Sequence, residues 1–104
     1  ELANPVAEAL RSGLPSIVDF GSHGCRPCDM MTPILEELRS ALAGRCNVLF
    51  VSVVDEPILA ARYGIQSIPV QIFFDASGRE VFRHVGYYPK EAMLRRLQDM
   101  GVQP

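Results

Sequence analysis

A buried strand, a pair of cysteines and an amphipathic helix follow one another within residues 16–42. Residues 16–20 form an apolar run of strand length between a proline and a glycine, which predicts a buried strand. Cys25 and Cys28 come next, and residues three apart share a face of a helical turn, so the two sulfur atoms can approach bonding distance. The pattern indicates a thiol pair that opens and closes a disulfide at a strand-to-helix junction.

The helix after the cysteines carries a continuous apolar stripe. Its members follow steps of three and four residues: Cys28, Met31, Leu35, Leu38 and Leu42. Cys28 is therefore predicted to be the shielded thiol. Pro27 suits the first helical position and disfavours helical geometry at Arg26, which leaves Cys25 outside the helix and exposed. We expect Pro33 to kink the helix without ending it, because the apolar stripe continues.

The two thiols are predicted to differ in reactivity. A Cys25 thiolate would face the unpaired N–H groups and the positive end of the helix dipole, with the Arg26 guanidinium adjacent in the chain. Each of these lowers the pKa of a cysteine, to about 3.5 to 7.5 in the strongest cases. Cys25 is therefore the predicted nucleophile, and Cys28 is the thiol that resolves the mixed disulfide.

Asp19 interrupts the first apolar run. A carboxylate in the middle of a buried strand is costly unless it is paired or protonated. Two interpretations stay open. The side chain turns to a hydroxyl group or water, or it lies beneath Cys28 with a raised pKa and relays a proton to or from the sulfur.

The rest of the chain alternates between helices and strands. We predict helices over residues 5–11, 57–63 and 89–100, and strands over residues 47–54, 70–74 and 79–85. The strands on either side of the cysteine helix should be parallel, and the short connection 75–78 predicts an antiparallel hairpin for the last two. On the last helix we expect Met93, Leu94, Leu97 and Met100 to face inward and Arg95, Arg96 and Asp99 to face outward.

Length and charge limit the functions open to the chain. Its 104 residues predict a single domain over residues 1–104 with a small core. A net charge of −2 and a single lysine, Lys90, provide no basic stripe, so we expect no nucleic-acid partner. No apolar stretch approaches about 18 residues, so we expect no membrane contact by this segment, and we expect a monomer. The chain begins with Glu1 and has three cysteines, which leaves the compartment open between the cytoplasm and export.

The order of elements, with Cys-x-x-Cys at the first strand-to-helix junction, resembles the thioredoxin superfamily over nearly the whole chain. Residues 17–20 resemble the family's strand with the buried Asp, and residues 25–28 resemble its redox motif. Pro33 resembles the helix-kinking proline, residues 63–69 the segment that carries the cis-proline, and Gly86 the glycine after the last strand. The resemblance implies an α/β fold with a central four-stranded mixed sheet, flanking helices and an extra N-terminal helix.

The same resemblance implies a protein-disulfide oxidoreductase that reduces or exchanges protein disulfides through the Cys25/Cys28 couple, with Asp19 as the third catalytic residue. It implies no cofactor beyond this redox-active disulfide, no metal, and a separate reductase or electron donor. Pro69 would be cis, and the backbone of Ile68 would hold substrate as an added strand. The implied substrate-binding residues are Ile68, Pro69, Gly24, Arg26, Pro27 and Gly86.

Three positions depart from the family pattern. Gly24 replaces the aromatic residue that thioredoxins usually carry before the first cysteine, so we expect an altered substrate surface. Arg26 stands where glycine is common, and by favouring the Cys25 thiolate it should make the couple more oxidising than thioredoxin. The lysine that thioredoxins often place near the buried Asp falls at Val51, so Asp19 should be protonated more readily.

Two other classes of function stay open on the sequence alone. In the first, the cysteine pair and Cys46 or His23 would hold zinc or copper, although no second closely spaced pair of ligands is present. In the second, the domain is a non-catalytic adaptor that holds a partner at Ile68 and Pro69. For Cys46 we favour a structural thiol, and for His23 a loop side chain on solvent.

Overall fold

The computed structural model describes residues 4–103, and helices and strands alternate along most of this part. In chain order the elements are α1 (Pro5–Leu10), β1 (Ser16–Gly21), α2 (Arg26–Ala41), β2 (Asn47–Ser52), α3 (Pro57–Arg62), β3 (Val70–Phe74), β4 (Glu80–Val85) and α4 (Lys90–Asp99). The order agrees with the one that the sequence predicts, including the additional helix at the N-terminal end.

The strands form one mixed sheet with the order β2-β1-β3-β4. β1 pairs with β2 in parallel across α2, as a strand-helix-strand unit requires. β3 pairs antiparallel with β1 and with β4. The four-stranded mixed α/β sheet with flanking helices is therefore confirmed, and β1 lies at its centre between β2 and β3.

Each face of the sheet carries its own apolar core. The face covered by α2 and α4 includes Ile17, Met31, Leu35, Leu38, Leu42, Val48, Phe73, Met93 and Leu97. The face covered by α1 and α3 includes Val6, Val18, Phe20, Val51, Leu59, Val70, Ile72 and Phe74. Because successive side chains of a strand point to opposite faces, odd-numbered residues of β1 lie under α2 and even-numbered residues lie under α1 and α3.

Helix α2 runs for 16 residues and continues through Pro33. All five members of the predicted stripe, Cys28, Met31, Leu35, Leu38 and Leu42, are buried. The stripe therefore outweighs the single backbone hydrogen bond that the proline removes. Within residues 4–103, no helix combines the length and the apolar composition needed to cross a bilayer.

Three strand ends differ from the prediction. β1 ends at Gly21, one residue later than predicted. β2 ends at Ser52 rather than at Val54, because Ser52 pairs with Gly21, the last residue of β1, and no partner strand among residues 4–103 extends further. Val54 is 73% exposed despite its β-branched side chain. β4 begins one residue late because Arg79 belongs to the hairpin turn, where its N–H donates to Oδ1 of Asp75 at 3.0 Å.

Helix α4 also corrects one expectation. Met93 and Leu97 are buried, and Leu94 and Met100 pack against the same core, as predicted. Arg96, however, does not face outward. Its guanidinium carbon lies 3.7 Å from the centre of the Phe82 ring, because a long arginine stem can reach along the helix to stack a cation on an aromatic face.

Candidate active site

Cys25 and Cys28 form a disulfide at the start of α2, with their Cα atoms 5.1 Å apart. Cys25 is the N-cap residue, with extended backbone, and its Sγ accepts a hydrogen bond from the Cys28 N–H at 3.4 Å. The helix begins at Arg26, one residue earlier than predicted. Pro27 permits this because in the first turn its ring has no preceding helical turn to contact and its missing N–H would have no partner.

The two sulfur-bearing residues differ in exposure. Cys28 is 3% exposed and belongs to the apolar stripe of α2, whereas Cys25 is half-buried. Exposed residues surround Cys25, namely Gly24, Arg26 and Pro27. One end of the disulfide therefore meets solvent while the other is covered by protein.

Gly21, the last residue of β1, provides the surface on which Cys28 rests. A Cβ atom on Gly21 would lie 3.1 Å from the Cys28 Sγ and 3.3 Å from Cε1 of Phe50. Both separations are tighter than ordinary carbon contacts. The sequence marked this glycine only as the end of a strand, and its contact with Cys28 was missed.

Asp19 lies two residues before Gly21 and on the same face of β1, which is the face that Cys28 covers. Its side chain is fully buried, and Oδ1 accepts a hydrogen bond from Nε2 of Gln71 at 2.9 Å. Within residues 4–103, Oδ2 has no hydrogen-bond partner. Burial raises the pKa of Asp19 from 3.8 to about 6, and the hydrogen bond from Gln71 opposes this rise.

The sequence misplaced the β2 neighbour of Asp19. Val51 is in register with Phe20 and belongs to the core on the opposite face, whereas Phe50 is in register with Asp19. A slip of one residue along a strand moves a side chain to the other face, which explains the error. The side chain beside Asp19 in β2 is still apolar, so the expectation that Asp19 lacks a cation at this position is unchanged.

The Ile68–Pro69 peptide bond is cis, as the resemblance implies. Val70, the next residue, is in register with Phe20, so Pro69 lies at the end of the sheet where Gly21 supports Cys28. The Pro69 carbonyl accepts a hydrogen bond from the Gly86 N–H at 2.7 Å. The fold thus brings Pro69, before the start of β3, and Gly86, after the end of β4, to the disulfide end of the sheet.

Gly24 has a φ of +84°. This left-handed conformation is unfavourable for residues with a side chain. The backbone before Cys25 therefore suits the glycine found there.

Cys46 lies at the other end of the molecule. It precedes β2, whose first residue pairs with Ser16 at the start of β1, so a strand length of about 16 Å separates it from the cysteine pair. Cys46 is buried, its Sγ contacts the Asn47 carbonyl oxygen at 3.4 Å, and burial raises its pKa to about 11. The three thiols cannot meet at one ion. In the part of the chain from 4 to 103, no three His, Cys, Asp or Glu side chains are grouped to hold a metal.

Comparison with known proteins decides the family. A family model described as a thioredoxin-like domain matches residues 2–101. The chain belongs to the thioredoxin family. The thioredoxin of Alicyclobacillus acidocaldarius subsp. acidocaldarius is 39% identical over 93 residues, which are 89% of this chain and 88% of that protein.

Two further thioredoxins show the same extent of similarity. The protein from Rickettsia bellii (strain RML369-C) is 37% identical over 84% of this chain and 82% of its own length. The protein from Staphylococcus aureus (strain Mu50 / ATCC 700699) is 41% identical over 78% of this chain and 77% of its own length. With its Cys-x-x-Cys pair at disulfide distance, this thioredoxin family member is a thiol-disulfide oxidoreductase that works through a dithiol couple. The predicted family and activity are confirmed.

Proposed function

We propose that residues 1–104 form one domain that reduces or exchanges disulfides in protein substrates, with Cys25 as the nucleophile and Cys28 as the resolving thiol. The observation that supports these roles is the asymmetry of the pair. Cys28 is 3% exposed, whereas Cys25 is half-buried at the beginning of α2. The Cys25/Cys28 pair itself carries the two electrons in its dithiol form, so the proposal includes no other cofactor and requires a separate reductase.

The reducing direction takes two exchange steps. The Cys25 thiolate attacks one sulfur of the substrate disulfide, a Cys25–substrate disulfide forms, and the other substrate sulfur leaves as a thiolate. The Cys28 thiolate then attacks the Cys25 sulfur, forms the Cys25–Cys28 disulfide and releases the second substrate thiolate. The substrate gains two electrons and, from solvent, two protons. A reductase returns two electrons to the cysteine pair.

The start of α2 favours the Cys25 thiolate. The Cys28 N–H already points at the Cys25 Sγ, the helix dipole is positive at this end, and Arg26 is the first helical residue. A stabilised thiolate favours the reduced protein, which makes the couple more oxidising. We therefore propose a potential above that of a thioredoxin with glycine in place of Arg26.

Asp19 is proposed to accept the proton of Cys28 before the second step. It lies on the face of β1 that Cys28 covers, and the oxygen without a partner, Oδ2, is free to take a proton. With a pKa of about 6, most of this carboxyl group is ionised at neutral pH. The ordinary pKa of a thiol is about 8.5. The raised pKa of Asp19 is closer to this value than the pKa of a surface carboxylate is.

Substrate is proposed to bind as an extended strand along Ile68. This residue precedes β3 and lies outside its ladder, and Pro69 is at the disulfide end of the sheet. Main-chain pairing at such a position provides affinity with little dependence on side chains. The remaining contacts are proposed to come from Gly24, Arg26, Pro27 and Gly86.

A trapped complex tests this binding mode. A Cys28→Ser variant should hold a peptide on Cys25 as a mixed disulfide, because the resolving thiol is absent. In that complex we expect the Ile68 amide to exchange with solvent at least about tenfold more slowly than in the free variant, since a backbone hydrogen bond to the peptide protects it. Amide hydrogen exchange followed by NMR measures this.

The control is the same variant carrying 2-mercaptoethanol on Cys25, which has no peptide groups to pair with the Ile68 backbone. Ile68 should then stay unprotected. If a peptide bound to Cys25 leaves the exchange of Ile68 unchanged, strand pairing is wrong, although the exchange chemistry at Cys25 is unaffected.

A further inference from the structure

Gln71 is a buried polar residue in a strand that is otherwise apolar. The other members of β3 are Val70, Ile72, Phe73 and Phe74. Gln71 and Asp19 are both 0% exposed, and the Gln71 amide donates to Oδ1 of Asp19 at 2.9 Å. Within residues 4–103, Gln71 Oε1 has no hydrogen-bond partner, and neither has Asp19 Oδ2. Among the described residues, the buried Gln71 amide therefore makes one side-chain hydrogen bond, and its partner is the Asp19 carboxyl group.

Packing alone does not account for a glutamine at this position. Burying an amide with one of its polar atoms unpaired destabilises the folded state, whereas a methionine of similar size would carry no such penalty. The position is on the α2 face of the sheet, where its strand neighbour two residues on is the core residue Phe73. We therefore attribute the polar residue at this apolar position to its hydrogen bond with Asp19.

The side chains that lie around Asp19 differ in polarity and in charge. In register with it are Phe50 on β2 and Gln71 on β3, and Cys28 covers the same face from α2. The ionisable side chain in register with Gln71 on β4 is His84, whose ring stacks on Tyr88. From the neighbouring strands, then, the polar contact to the carboxyl group comes from the Gln71 amide.

We propose that Gln71 is a positioning residue for Asp19, which holds Oδ1 through its side-chain amide and so leaves Oδ2 as the oxygen that exchanges a proton with Cys28. This inference rests on the proposed function of Asp19 and adds the residue that controls it. Gln71 itself touches neither substrate nor sulfur in this role.

The amide also affects when Asp19 carries its charge. A hydrogen bond donated to a carboxylate stabilises the ionised form, and the Gln71 contact accordingly lowers the pKa of Asp19. Without the amide the pKa rises, so the carboxylate that accepts the Cys28 proton forms only at higher pH. The pH dependence of the resolving step therefore reports on Gln71.

The test uses the reaction of the reduced protein with an aromatic disulfide in a stopped-flow instrument, where the resolving step releases a second coloured thiolate. In the wild type we expect the rate of this second phase to rise with pH. Its midpoint should lie near pH 6, where Asp19 loses its proton. Gln71→Met should raise the midpoint by about one pH unit, because a hydrogen bond to a charged group is lost. Gln71→Glu should raise it further, because two carboxyl groups then share the site.

Phe73→Leu is the matched control. It alters packing on the same strand and face, so it should lower stability and leave the midpoint unchanged. A second measurement needs no variant: in the wild type, the side-chain NH₂ resonances of Gln71 should shift with the same midpoint as the Asp19 carboxyl carbon.

The outcomes separate this inference from the proposed function. If Asp19→Asn leaves the resolving phase unchanged, the role of Asp19 is wrong and the inference fails with it. If Asp19→Asn slows that phase while Gln71→Met keeps the wild-type midpoint, only the role of Gln71 is wrong. Should the Gln71 variants not fold, Gln71 resonances that ignore the Asp19 titration would overturn the inference.

Discussion

Replacing Cys25 by serine is expected to abolish reduction of insulin disulfides, with a fall in turnover of more than about a thousandfold. Serine places a hydroxyl group where the thiolate must attack, and the hydroxyl is a far weaker nucleophile at neutral pH. Cys28→Ser should lose turnover to the same extent for a different reason. It still forms the mixed disulfide on Cys25, but Cys28, the buried thiol that would release the product, is missing.

The control for both variants is Cys46→Ala, which removes the free thiol at the far end of β2. The turnover of Cys46→Ala should equal that of the wild type. Among the three variants, mass spectrometry should find the mixed disulfide with substrate only in Cys28→Ser. An insulin-reducing Cys25→Ser protein would refute the assignment of the nucleophile. Inactivation by Cys46→Ala at an unchanged melting temperature would show that the third thiol takes part.

Asp19 should make the oxidised protein less stable as the pH rises. The pKa of Asp19 is raised from 3.8 to about 6 on folding, so the folded protein holds this proton more tightly than the unfolded chain does. Below about pH 3 both states are protonated and the side chain has its full stabilising effect. Between about pH 3 and pH 7 the unfolded chain releases the proton first, and about 3 kcal/mol of stability is lost.

Asp19→Asn isolates this contribution because asparagine keeps the shape and removes the charge. We expect the difference in unfolding free energy, variant minus wild type, to increase by about 3 kcal/mol from pH 3 to pH 8. Urea unfolding of the two oxidised proteins at several pH values measures it. Burial lowers the pKa of His84, but His84 is present in both proteins and its contribution cancels in the difference. A difference that does not change with pH would contradict a buried Asp19 of raised pKa.

The architecture could be predicted because its signals are local. The stripe from Cys28 to Leu42 fixed the buried face of α2, and two apolar runs around it required parallel strands. The strand ends were less predictable because they depend on partners. Val54 has a strand-like side chain, yet β1 has already ended opposite Ser52 and provides nothing to pair with it.

The interior of the site was predictable only in part. That Asp19 is buried follows from its own strand, but its neighbours depend on register, which sequence patterns do not fix to one residue. This is why Val51 was chosen instead of Phe50 and why Gln71 was overlooked. A signal for Gln71 did exist, since a lone amide in a buried apolar strand requires a partner. The sequence contains no comparable signal for the stacking of Arg96 on Phe82. An arginine that faces solvent and one that folds back onto the protein can occupy the same position in a helical pattern.

The central claim is that the sulfur of the half-buried Cys25 is open to reagents and activated at the start of α2, while the sulfur of Cys28 is covered. Alkylation of the reduced protein by iodoacetamide, read by mass spectrometry from pH 4 to pH 10, tests it most directly. We predict that Cys25 reacts at least about tenfold faster than Cys28 at pH 7, with a midpoint below the ordinary thiol pKa of about 8.5. Arg26→Ala should raise that midpoint, and Arg95→Ala, on α4, should not. Equal rates at both cysteines, or a Cys25 midpoint at or above 8.5, would contradict the account.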